Sequence, residues 1–80
     1  MNTYATQFRS SYGRAPFVKA EADLRNAMNS FRLATEAARM DSFLALYGAY
    51  VRMECVGVGN DADAATRTGL LNMVRPIVLA

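Results

Sequence analysis

Three side chains whose types could carry chemistry, Cys55, Asp61 and Asp63, fall in one short stretch. Asp61 and Asp63 are a close carboxylate pair, the residue type used for general acid and base work. They directly follow Gly59-Asn60, however, and that order is the signature of a helix start. Asn60 or Asp61 caps the free backbone donors, and Asp63 places negative charge at the positive end of the helix dipole. Asn60, Asp61 and Asp63 also offer three oxygen ligands, but the loop glycine and the later bidentate glutamate of an EF-hand are missing. Gly57-Val58-Gly59 lacks the third glycine or the lysine of a phosphate-binding loop, and the two aspartates that follow would repel a phosphate.

The chain has no histidine and a single cysteine. Serine–histidine–aspartate hydrolysis, imidazole ligation and cysteine-rich zinc sites are therefore excluded. Cys55 cannot form an internal disulfide. With Glu54 beside it, the wrong sign to activate a thiol, it is expected to be a small buried hydrophobe. No catalytic, cofactor-binding or metal-binding residue is expected, no cofactor, and no enzymatic activity.

The elements around this stretch are read from periodicity. Between Phe17 and Val56 there is no proline, and the only glycine is Gly48. Leu24, Met28, Phe31, Thr35 and Ala38 recur at steps of four and three, which places them on one side of a helix, with Ala20, Ala27 and Ala34 beside them. At about 100° per residue, Leu33, Ala37, Met40, Leu44 and Tyr47 point to roughly the opposite side. A straight helix would need two apolar partners, so a turn is expected near Arg39 to Ser42, with Asp41 or Ser42 as N-cap. The pairs Glu21–Arg25 and Arg32–Glu36 mark the wet side of the first helix.

The predicted fold is all-α: an antiparallel helical hairpin of about 17–39 and 42–56, and a shorter third helix of about 62–75. Small residues at Ala20, Ala27 and Ala34, facing Ser42, Ala45 and Ala49, allow close packing of the hairpin. Gly57 and Gly59 are expected to end the second helix. That helix carries Phe43, Leu44, Leu46, Tyr47, Tyr50, Val51 and Met53 around most of its circumference, and so should be central or covered by another subunit. Pro76 is expected to stop the third helix and leave 77–80 as an extended tail. Residues 1–16 form an arm, with a possible short helix ending at Gly13 and a break at Pro16. The whole is taken as one small helical domain, 1–80.

Charge is uneven. The first twenty residues hold Arg9, Arg14 and Lys19 and no acid, within a formal total of +2. They are interleaved with Tyr4, Phe8, Tyr12 and Phe17, a pattern compatible with phosphate contacts and base stacking or with an aromatic clasp on a neighbouring protein. Arg25, Arg32 and Arg39 stand seven apart and would form one stripe, suited to polar protein interfaces.

An 80-residue chain buries only about 60–65% of its unfolded surface, so partners are a natural source of stability. Hydrophobic residues make up 52% and charged residues 20%, which excludes a disordered tail and leaves few charges to cover a monomer. The longest apolar stretch, Phe43 to Val51, is too short to span a bilayer, and no signal pattern opens the chain. A cytoplasmic protein is expected, or a virion component if the source is viral.

The expected function is non-enzymatic: a helical interaction or assembly subunit, such as a minor structural component of a virus particle or other large complex. It would associate with itself or other proteins. Interface candidates are Tyr4, Phe8, Tyr12, Arg25, Arg32, Arg39, Leu33, Met40, Ile77, Val78 and Leu79. The alternatives are a small inhibitor or adaptor docking on one enzyme, and a nucleic-acid-binding module using the basic arm.

Overall fold

A computed structural model describes the backbone of residues 2–80 and the side chains of residues 14–80. Among the described residues there are three helices: α1 (Asn2–Leu33), α2 (Arg39–Cys55) and α3 (Asp61–Val78). The fold is all-α. α1 and α2 form the antiparallel hairpin, and α3 packs mainly on α2 and meets α1 through its first turn.

The core follows from the helical spacings. α1 contributes Phe17, Ala20 and Leu24, α2 contributes Leu46, Ala49, Tyr50 and Met53, and α3 contributes Leu70, Val74 and Val78. Ala27, Met28 and Phe31 continue the α1 stripe in partly buried form. Phe17, Leu24, Leu46, Met53 and Val74 are the large side chains withdrawn completely from solvent, each stabilising the fold by about 1.5–3 kcal/mol relative to exposure. Ala20 and Ala49 are buried in this cluster, whereas Ala45 stays exposed, so only part of the expected small-residue seam lies between the hairpin helices.

The hairpin turns earlier than the sequence predicts. α1 ends at Leu33 and α2 begins at Arg39, so Asp41 and Ser42 lie inside the first turn of α2 and do not cap it. Thr35 is the reason. Its Oγ1 accepts the Ala38 N–H at 3.3 Å and its carbonyl accepts the same donor at 3.1 Å, which closes a turn over residues 36–38 that runs directly into α2. Thr35 thus closes the turn that leads to the Ala38 N-cap, a common role for a short hydroxyl side chain. Once the chain leaves the helix at Leu33, the expected Arg32–Glu36 pair has no helical geometry and is not formed, while Arg25 bonds Glu21 at 2.9 Å as expected.

Both prolines lie inside helices, against expectation. Proline removes one backbone donor and its ring crowds the preceding turn, but at each site buried neighbours hold the helix. Phe17 and Ala20 anchor the turn after Pro16. Val74 and Val78 straddle Pro76 and are both buried, and the Leu79 N–H reaches the Arg75 carbonyl at 2.9 Å. Of the tail expected to be extended, Ile77 and Val78 therefore complete the last turn of α3 and Leu79 is its C-cap, so α3 is no shorter than α2.

The link between α2 and α3 also departs from the expected glycine stop. α2 ends because Val56 is extended, at φ −73° and ψ 142°, and among the described residues no glycine adopts positive φ. Arg67 reaches back from α3, and its Nη1 donates to the Val56 carbonyl at 2.7 Å. That bond satisfies an acceptor at the helix end and ties α3 to it. The start of α3 is as expected: Asn60 Oδ1 accepts the Asp63 N–H at 2.7 Å.

Candidate interaction surface

The residues of α2 divide by face. Leu46, Ala49, Tyr50 and Met53 point into the core. At about 100° per residue, Met40, Leu44, Tyr47 and Val51 fall within an arc of roughly 60° on the other side. They are exposed to 66%, 59%, 44% and 38% respectively. Phe43 borders this strip and packs against Phe31 at 6.1 Å and Tyr47 at 6.4 Å between ring centroids. Glu54 is the one charge near its axis, at the C-terminal end. The second helix is therefore central, as its composition requires, yet one apolar face of it is left uncovered by α1 and α3.

At the hairpin end, Phe31, Glu36, Arg39, Met40 and Phe43 line an open depression. The Arg39 guanidinium lies over the Phe31 ring, 5.0 Å from its centroid, a cation–π arrangement that keeps this arginine against the surface. Leu33, at 84% exposure, projects beside the turn. Leu33 and Met40, two sequence candidates, are thus exposed at the same end of the molecule.

The arginine stripe is not assembled. Arg25 and Arg32 lie on α1 and Arg39 opens α2, so the seven-residue spacing does not run along one helix. Arg25 is held by Glu21, and Arg32 is exposed in the last turn of α1. The tail candidates also separate. Val78 is buried and Ile77 packs against the core, while Leu79 remains 59% exposed. Tyr4, Phe8 and Tyr12 lie outside the residues whose side chains are described.

The opposite end of the bundle carries the strongest polar constellation, which the sequence does not reveal as such. Arg14 Nε and Nη2 donate to Asp63 Oδ2 and Oδ1, both at 2.9 Å, and Asn60 Nδ2 adds a bond to Oδ2 at 3.1 Å. The planar guanidinium and the carboxylate meet in the two-bond arrangement that fixes direction as well as distance. The Arg14 hydrogen bonds lower the Asp63 pKa most, Asn60 acts in the same direction, and partial burial opposes them. Asp63 is a structural clasp: its oxygens are occupied by partners from its own chain, so the Asp61–Asp63 pair is not arranged for acid–base chemistry.

Between α1 and α2 runs a shallow cleft of about 340 Å³ lined by Pro16, Lys19, Ala20, Asp23, Arg52, Cys55 and Val56. Lys19 and Asp23 pair along its α1 wall at 3.4 Å. Cys55 is exposed, not buried as expected, because as the last residue of α2 it falls on the outward side with Val51 and Leu44. No helix among the described residues is long and apolar enough to cross a membrane.

Comparison with protein-family models, with curated protein sequences and with solved structures returns no match for this chain.

Proposed function

We propose that this chain is a non-enzymatic helical assembly subunit that works by burying the outer face of α2 against another protein surface, with copies of itself as the first partner. The observation that carries the reading is the uninterrupted apolar strip of Met40, Leu44, Tyr47 and Val51. Single exposed apolar residues are ordinary, but a contiguous strip on one helix marks a contact surface. Tyr47 supplies the large aromatic contact that interfaces favour. A minor structural place in a virus particle or comparable complex is one setting for such a subunit.

The nucleic-acid alternative is weakened by the charge pairing. Of the three cations in the basic arm, Arg14 is engaged by Asp63 and Lys19 by Asp23, leaving little free charge for phosphates. An inhibitor or adaptor would use the same strip on a foreign enzyme and would be monomeric alone.

Light scattering of the purified chain over a wide concentration range tests the proposal. The mass should rise above the 8.8 kDa of one chain, and Leu44→Glu should return it to that value with helical content unchanged. A parent that stays at the single-chain mass throughout would overturn self-association.

A further inference from the structure

Beside the apolar strip, α2 carries a second row at helical spacing: Asp41, Ala45, Gly48 and Arg52. At about 100° per residue these four fall within roughly 60° of arc, on the edge that borders α1. Asp41, Ala45 and Arg52 are exposed and Gly48 is half-buried. Among the described residues neither Asp41 nor Arg52 has an ion-pair partner. One acid and one base, three turns apart on one helix edge, are thus both exposed without an ion-pair partner among the described residues.

The row is symmetric about its own centre. The midpoint between Asp41 and Arg52 is also the midpoint between Ala45 and Gly48, the two smallest residues along this helix edge. We infer that a second copy of this chain docks here with α2 antiparallel to α2, related by a two-fold axis at that midpoint, so that Asp41 of each copy pairs with Arg52 of the other. This rests on the reading of α2 as an assembly helix and joins two copies along the edge beside its apolar strip.

Three features support a second copy over a foreign protein. A two-fold interface must be self-complementary, because the same patch serves both sides, and this edge carries its own opposite charge at the required distance. The crossing point is small. A side chain at Gly48 would meet nothing of the single chain except the Arg52 Nη1 at 3.7 Å, so the fold itself does not require glycine there, and a mid-helix glycine costs about 1 kcal/mol against alanine. Close approach of a second backbone supplies a reason for it. The apolar strips stay on one side of the pair: their centre lies roughly 100° from the row, so the same axis sets them side by side, with Leu44 within about 3 Å, along the helix direction, of the level of the partner's Val51.

The surroundings agree with the charges. Arg52 stands in the cleft with Lys19 and Asp23, and because Lys19 already pairs with Asp23, an incoming carboxylate at Arg52 meets a guanidinium and no free acid in that cleft. At the other end Asp41 lies in the first turn of its helix, where its negative charge is compatible with the dipole before and after pairing.

Charge reversal with exchange tests the arrangement. Asp41→Arg and Arg52→Asp are prepared separately, their helical content is checked by circular dichroism, and self-association is measured by analytical ultracentrifugation beside the parent. Each variant alone then faces like charges at both contacts, and its dimer should weaken by about 30-fold. Mixed in equal amounts, the two variants should form a one-to-one heterodimer near parental affinity, because every contact is again an acid–base pair. A variant that unfolds is replaced by the milder Asp41→Asn or Arg52→Gln, which should weaken the dimer without inverting charge. A parent dimer unaffected by either reversal, or reversals not rescued by mixing, would overturn the antiparallel pairing while leaving assembly through α2 standing. A monomeric parent would overturn both.

Discussion

Arg14 and Asp63, separated by 49 residues, share two parallel hydrogen bonds of 2.9 Å. This pair joins the first described turn of α1 side chains to the first turn of α3, the two helices with least mutual contact. Its acid partner is held below the ordinary carboxylate range, mainly by the Arg14 bonds. A carboxyl with a folded pKa below its unfolded value of about 3.9 contributes stability that is complete above that value and is lost as pH falls through the folded pKa. Melting temperature should therefore drop more steeply in the parent than in Asp63→Asn as pH falls below the unfolded value of about 3.9. Superimposable pH profiles would show that the clasp adds nothing.

Leu46 is fully buried at the centre of α2. Leu46→Ala should cost about 2–5 kcal/mol, a large part of the stability of so small a domain. Phe31→Ala should cost less, because Phe31 is only partly buried at the hairpin end. Denaturant melts of the two variants give the order directly, and an equal or reversed order would contradict the packing.

Gly69 lies inside α3, and an added side chain there would meet nothing within 4 Å. Gly69→Ala should stabilise the protein by about 0.5–1 kcal/mol, seen as a rise of roughly 4–8 °C per kcal/mol in melting temperature. A fall would mean that α3 is not a regular helix at this point.

Removing residues 77–80 takes Val78 out of the core and Ile77 off its edge. Full burial of a valine is worth about 1.5–3 kcal/mol, so the shortened chain should melt several degrees lower with no partner present. An unchanged melting temperature would instead free this segment to serve as an attachment tail.

Thr35→Ala removes the Oγ1 acceptor that closes the turn into α2. The expected loss is about 0.5–1 kcal/mol, and Thr35→Ser should recover most of it. Equal stability of all three proteins would place the turn's origin elsewhere.

The hairpin and the third helix were legible because their evidence is periodic: Ala20, Leu24, Ala27, Met28 and Phe31 announce one face, and Asn60 announces a cap that the structure confirms at 2.7 Å. The turn position was not legible, since Asp41 and Ser42 resemble caps, whereas the residue that caps α2 is Ala38, which has no capping side chain. Proline misled in the same way. Local rules stop a helix at Pro16 and Pro76, but buried Phe17 and Val78 override them. The Arg14–Asp63 clasp was hidden for a different reason: nothing local connects two residues so far apart, and Asp63 already had a sufficient role as a first-turn acid. The uncovered strip of α2 was visible as a face pointing away from the Leu24 side. What periodicity could not say is that α3 would cover the α2 core side and leave that strip open.

Exposed Cys55 makes the molecule its own redox reporter. A disulfide needs Cα atoms within about 7 Å of each other, but an antiparallel α2 pair centred between Ala45 and Gly48 holds its two Cys55 residues roughly 25 Å apart along the helix direction. Covalent dimers formed on air oxidation would then record stray encounters and not the assembled state.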